Sequence, residues 1–212
     1  MIVKSLKRIG KTNKYNVIID DNTYKFNENI IVNYRLVKGK EVTEDILSKA
    51  IKENDYDTLY LKAERYTITY RKSEKEIIGY LKNKEASPND IPLIISRLRK
   101  NKLIDDTNLV YDLINSLIKK YNGIKMIEAK LYQKGFEDDL IKKALSEIDY
   151  GFYCKYLELL YNKIRNKYDK YDDYKRINKI KAYLLQRGYT YSDIAKLNIK
   201  VVSNKLWKLV LI

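Results

Sequence analysis

The chain has no histidine and a single cysteine, Cys154, among its 212 residues. Without histidine there is no Ser-His or Cys-His catalytic pair and no zinc site of the usual kind. One cysteine excludes an internal disulfide framework and suits a reducing cytosol. It lies close to Tyr153 and Tyr156 in a helical pattern, which favours a packed thiol over a nucleophile. No apolar run approaches about 18 residues, so no membrane span is expected. The opening MIVKSLKRIG is too short and too charged for a signal peptide, and a cytoplasmic location is the expectation. A Gly-rich phosphate loop is missing as well, so no cofactor and no metal are expected.

What the chain does have is positive charge. Lysine and arginine number 43 against 28 acids, for a net charge of +15 and a pI near 9.5. That is the electrostatic footprint of a nucleic-acid partner. Part of the excess can come from a genome biased towards Lys, Asn, Ile and Tyr. Hydrophobic residues make up 45%, enough for a core.

The organisation is repetitive. From Asn122 to Asp149 a breaker at Asn122-Gly123 precedes a helix with Ile124, Ile127 and Leu131 on one face. Lys134-Gly135-Phe136 stops it, and a second short helix carries Leu140, Ile141, Ala144, Leu145 and Ile148. The same punctuation follows Leu81 and Leu184. A cation comes three residues later each time (Lys84, Lys134, Arg187), then Glu85, Gly135 or Gly188, then Ala86, Phe136 or Tyr189. Offsets of about fifty residues suit a helical repeat array. The fold expected is mainly α: three tandem three-helix repeats forming an elongated curved array behind a small N-terminal β-hairpin and helix segment.

Boundaries follow from composition. Residues 1–57 are the N-terminal segment, with strands around Tyr15–Ile19 and Tyr24–Phe26, a short helix from an Asn27 cap, and a helix from a Thr43 cap to about Glu53. Repeat one covers 58–104, with helices from about Leu59 to Tyr70, from a Ser73/Glu76 capping box, and from Ser87-Pro88. Repeat two covers 105–149, its first helix holding Leu109, Leu113, Leu117 and Tyr121. Repeat three covers 150–199, with Leu157, Leu160, Ile164 and Tyr168 on one helix and Ile177, Ile180 and Leu184 on the next. Residues 200–212, which include an apolar tail over 205–212, fit no repeat.

Three Asp-Asp pairs (Asp105-Asp106, Asp138-Asp139, Asp172-Asp173) invite a magnesium reading. Each stands at a helix start, where a carboxylate caps free N–H groups, so capping is expected. The cations divide in two. Lys75, Lys119-Lys120 and Lys142-Lys143 are read as solvated outer faces. Arg97, Arg99, Lys100, Lys102, Lys125, Lys130, Lys134, Lys175, Arg176, Lys179 and Arg187 recur near equivalent corners of the repeats. Such corners can align into a stripe that follows a phosphate backbone.

The segments Ala63–Tyr66, Ser73–Ile77 and Leu81, with Ile104-Asp105-Asp106 and Gly123–Phe136, resemble the RecX family of recombinase regulators in order and spacing. The resemblance covers about residues 59–197. It departs from the family pattern at Glu85-Ala86, where a Gly-aromatic pair is usual, and at Leu109 and Asn122-Gly123. It implies a non-enzymatic protein that lies along the RecA filament; a monomer is expected, with single- and double-stranded DNA as further partners. Modulation of RecA is implied, with inhibition expected over stimulation. The alternatives are a general DNA- or RNA-binding repeat protein without a recombinase partner, and a scaffold whose charge reflects genome composition.

Overall fold

A computed structural model of the chain describes residues 1–197, so the expected tail over 200–212 lies outside the described residues. The chain divides into two compact units, Met1–Ile104 and the part from Asp105 onward. No described helix is long and apolar enough to cross a membrane.

The first unit opens with an antiparallel meander of β1 (Val3–Arg8), β2 (Lys14–Ile19) and β3 (Asn22–Asn27) in that spatial order. Val17 sits opposite Leu6 on one side and Tyr24 on the other. Period-two alternation turns Val3, Val17, Ile19 and Phe26 to a buried face. There they meet Ile30 and Ile31 of α1 (Glu28–Tyr34) and Leu47 and Ala50 of α2 (Glu44–Thr69). Asn27 holds the N-cap position of α1, but its side chain donates to Thr58 instead of capping.

Helix α2 corrects the sequence reading most. Two helices, ending near Glu53 and restarting near Leu59, are one continuous helix of 26 residues, and the expected boundary at 57/58 falls inside it. The stretch between them holds Asn54 and Asp57, both buried and satisfied from outside the helix. Asn54 Oδ1 accepts the Asn27 N–H at 2.8 Å, and Asp57 accepts from Arg97 at 3.0 Å. With those partners in place the polar side chains do not compete for the helix's own backbone.

Two shorter helices follow, α3 (Glu74–Lys82) and α4 (Asp90–Lys100). Ser73 and Glu76 make the capping box predicted for α3. Ser87 caps α4's leading turn, accepting the Asp90 N–H on its hydroxyl and the Ile91 N–H on its carbonyl. Together α2, α3 and α4 enclose a second core of Tyr60, Ala63, Ile77, Leu81, Ile94, Ile95 and Leu98.

The second unit holds two three-helix repeats around one core: α5 (Asp106–Lys119), α6 (Ile124–Lys134) and α7 (Asp138–Ser146), then α8 (Tyr150–Arg165), α9 (Asp173–Gln186) and α10 (Tyr191–Lys196). In α5 the buried face is rotated from the one read in the sequence. Val110, Ile114 and Ile118 are buried with Leu109, while Leu113, Leu117 and Tyr121 are half-buried. Both rows have helical spacing, and only the neighbouring helices decide between them.

The repeated stop is the same device three times. Glu85, Gly135 and Gly188 all adopt the left-handed conformation. The next residue's N–H returns to the carbonyl five back, at 3.1 Å from Ala86 to Leu81, 3.4 Å from Phe136 to Leu131 and 3.1 Å from Tyr189 to Leu184. All three of those leucines are fully buried. Repeat one thus keeps the stop at Glu85, which lacks glycine's freedom and holds a conformation costing about 1–2 kcal/mol in a non-glycine residue.

Candidate nucleic-acid interface

Of the three Asp-Asp pairs, two cap as read: Asp105 accepts the Asn108 N–H at 2.9 Å and Asp172 the Lys175 N–H at 2.9 Å. The third does not. Glu137 is the N-cap residue of α7, while Asp138 lies in the first turn and pairs with Lys142 and the Tyr132 hydroxyl. The Lys142 hydrogen bond, with that of Tyr132, holds the Asp138 carboxyl below its ordinary range. Lys142 and Lys143 are exposed, as are Lys75, Lys119 and Lys120.

The eleven candidate cations fall into distinct settings. In the first unit, Arg97, Arg99, Lys100 and Lys102 cluster at the end of α4, where cations favour the helix dipole. Arg97 is committed internally, with Nη1 3.0 Å from Asp57 and its guanidinium 3.8 Å from the Tyr60 ring centroid. Asp57 is almost entirely enclosed and also accepts from the Asn29 amide, so releasing Arg97 would leave a buried carboxylate without its cation. Arg99 makes a two-pronged pair with Glu74, Nε to Oε2 at 2.7 Å and Nη2 to Oε1 at 2.6 Å. With the Arg99 side chain 60% exposed, that pair is worth about 1 kcal/mol or less. Lys100 and Lys102 are exposed and face no carboxylate partner among the described residues.

In the second unit, Lys125, Lys130 and Lys134 lie on α6, and Lys175, Arg176 and Lys179 on α9. Arg176 is half-buried between Asp169 (3.6 Å) and Asp173 (3.2 Å). Lys125 meets the C-terminal end of α9, its N–H donating to Gly188 O at 3.1 Å. Lys175 stands at the other end of that helix, roughly 18 Å away at 1.5 Å per residue. Lys125 and Lys175 therefore stand at opposite ends of α9.

Arg187, the residue that ends α9, turns its side chain to backbone carbonyls. Its Nε donates to Tyr121 O at 3.0 Å and its Nη2 to Lys120 O, the carbonyls that close α5. It works as a C-terminal cap supplied by the neighbouring repeat, the place where unmatched carbonyls need donors. Beside it the two repeats meet backbone to backbone. Gly123 N–H donates to Arg187 O at 2.8 Å, and a Cβ on Gly123 would stand 2.2 Å from Gly188 C and Tyr189 N.

The same joint is closed by Asp193, which is buried and takes four hydrogen bonds. They come from Tyr150 Oη (3.0 Å), Tyr153 Oη (3.1 Å), Thr190 N (2.8 Å) and Thr190 Oγ1 (2.7 Å). Burial pushes the Tyr153 and Tyr189 phenols well above their usual range, so both stay protonated. Asp193→Ala leaves the Tyr153 hydroxyl enclosed without its acceptor and removes a cap. We expect it to cost about 2–4 kcal/mol, against about 1 kcal/mol for Tyr153→Phe. Urea midpoints of the two variants, at unchanged slope, check the order.

The α8–α9 connector and the start of α9 carry Lys167, Lys170, Tyr171 and Tyr174, none of them among the candidates read from the sequence. Lys170 and Lys179 lie 5.4 and 4.8 Å from the Tyr171 ring, and Lys167 lies 6.0 Å from that of Tyr168. Tyr174, in the first turn of α9, is 79% exposed. The signal was there in Lys167-Tyr168, Lys170-Tyr171 and Tyr174-Lys175, cations interleaved with rings. Rings and ammonium groups presented together offer stacking and phosphate contacts at one place.

Comparison with known proteins agrees with this architecture. Residues 155–197, from α8 through α10, match the family model described as RecX, third three-helix domain. The regulatory protein RecX of Oceanobacillus iheyensis is 34% identical over 84% of this chain and 68% of its own length. That of Clostridium acetobutylicum is 32% identical over 91% of this chain and 92% of its own. A crystal structure of regulatory protein RecX superimposes with a TM-score of 0.74 over 94% of this chain and 99% of the other, at 20% identity. RecX from Lactobacillus salivarius gives 0.63 over 68% and 94%, at 26% identity. Since the sequence identity to the Clostridium acetobutylicum relative runs nearly end to end in both chains, the chain belongs to the RecX family.

Proposed function

We propose that this protein is a non-enzymatic regulator that binds the RecA–DNA filament and inhibits RecA activity in the cytoplasm. The observation that carries the reading is family membership across nearly the whole chain, joined to a net charge of +15 that suits a polyanion. Within this reading Lys100, Lys102, Lys125, Lys130, Lys175 and Lys179 supply the phosphate contacts. Arg97 and Arg187 hold the fold instead, because their guanidinium groups are engaged by Asp57 and by the α5 carbonyls.

The test is RecA ATPase and strand exchange with and without the full chain. Loss of both activities at or below one chain per recombinase is expected; unchanged activity at stoichiometric amounts would defeat the regulator reading. The phosphate contacts are tested separately. Lys175→Gln with Lys179→Gln should flatten the log–log salt dependence of DNA binding by about 1 to 1.5. The melting temperature should hold, since both side chains are exposed. Lys142→Gln with Lys143→Gln should change neither slope nor affinity. Equal losses from both pairs would mean that the charge acts diffusely.

A further inference from the structure

The first unit holds an open groove of about 1490 Å³ that includes none of the eleven candidate cations. Its floor and walls come from the β1–β2 turn, from α1, and from one face of α2 running through Leu61, Lys62, Arg65, Ile68 and Thr69. Those positions repeat at helical spacing, so they share one side of α2. That side is exposed where a core helix would be covered.

Two features mark what the groove fits. The first is charge. Lys11, Lys14, Lys62 and Arg65 line it, and none has a carboxylate partner among the described residues. Its two acids, Glu28 and Glu64, are each engaged by a tyrosine hydroxyl, Tyr15 at 3.2 Å and Tyr60 at 3.1 Å. The second is a set of rings at one end. Tyr66 and Tyr80 are stacked, 4.3 Å between centroids and 9° from parallel. Lys72 Nζ lies 5.0 Å from the Tyr66 ring and 5.6 Å from that of Tyr70, and Tyr70 is 67% exposed.

We propose that this groove binds single-stranded nucleic acid, with a base stacked on Tyr70 and the backbone tracked by Lys11, Lys14, Lys62 and Arg65. A single strand offers the two chemistries the groove answers, a line of phosphates and free base faces. A duplex hides its base faces, and an acidic peptide has phosphate-like charge without planar partners for the rings. The proposal rests on the nucleic-acid part of the function given above and is independent of the recombinase part.

The experiment is fluorescence anisotropy with the full chain and three probes: a 15-nucleotide thymidine strand, an abasic strand of equal length, and a duplex. Tyr70→Ala should weaken the thymidine strand about 5- to 150-fold, the loss of one base–ring stack, and leave the abasic strand and the duplex unchanged. Tyr70→Phe should retain affinity. Lys62→Gln with Arg65→Gln should flatten the salt slope for both single strands by about 1 to 1.5. Unchanged thymidine affinity in Tyr70→Ala, or an equal loss on the abasic strand, overturns the proposal. So does a Tyr70→Ala chain that keeps thymidine affinity but no longer inhibits RecA, since the groove would then hold protein. If the wild-type chain leaves RecA untouched while the Tyr70 dependence stands, the regulator reading fails and the groove survives.

Discussion

Gly123→Ala should unfold or nearly unfold the second unit. The added Cβ would meet the Gly188 carbonyl carbon and the Tyr189 nitrogen at 2.2 Å, and the Gly188 oxygen at 2.3 Å. These are backbone atoms, so no side-chain rotation relieves the clash. The repeats would have to separate, weakening the bonds from Gly123 N–H to Arg187 O and from Lys125 N–H to Gly188 O. Overpacking alone costs about 1–3 kcal/mol and each bond about 1 kcal/mol. A loss of about 3–5 kcal/mol lowers the melting temperature of a unit this size by more than about 10 °C. Gly79→Ala is the control. Gly79 lies inside α3 with nothing within 4 Å of an added Cβ, so alanine should stabilise by about 0.5–1 kcal/mol. Thermal melts followed by circular dichroism test both. A Gly123→Ala chain that melts like wild type would show that the two glycines do not touch.

Leu131→Asp should be the most damaging change at a helix position. Leu131 is fully buried in the core that repeats two and three share, among Ile127, Phe136, Ile141 and Leu157. An isolated carboxylate there either remains charged without a partner or takes up a proton, and the leucine's packing is lost in both cases. The cost is more than about 4 kcal/mol, a large fraction of a domain's stability. Because one core serves both repeats, α5 through α10 should fail together. The first unit has its own two cores and should persist. Limited proteolysis checks this: a resistant fragment ending near Ile104 is expected, and a fully resistant chain would show that Leu131 lies outside the core.

Much of this fold is legible in the chain because its signals are local. A Ser-x-x-Glu box, an Asp before a helix, and a leucine followed four residues later by a left-handed stop act within one or two turns of backbone. Their partners are therefore already adjacent in sequence. Ser73, Asp105, Asp172, Gly135 and Gly188 all do what their neighbours predict. Even Glu85 does so, since Leu81 and the N–H of Ala86 close the same turn around it.

The tertiary structure alone decided the rest, and each case involves a partner far along the chain. The stretch between the two helices read at 43–53 and 59–70 is part of one helix, α2, where Asn27 and Arg97 satisfy the buried Asn54 and Asp57. Two apolar rows on α5 compete, and the helices packed on it choose Val110, Ile114 and Ile118. Arg97 and Arg187 count as free charge in a sequence, yet Asp57 and the α5 carbonyls hold them. Gly123 reads as a loop glycine, and only the approach of Gly188, 65 positions away by their numbering, makes it indispensable. Charge, periodicity and caps are properties of a residue and its near neighbours. Whether a cation is available, or a glycine required, depends on what the fold brings against it.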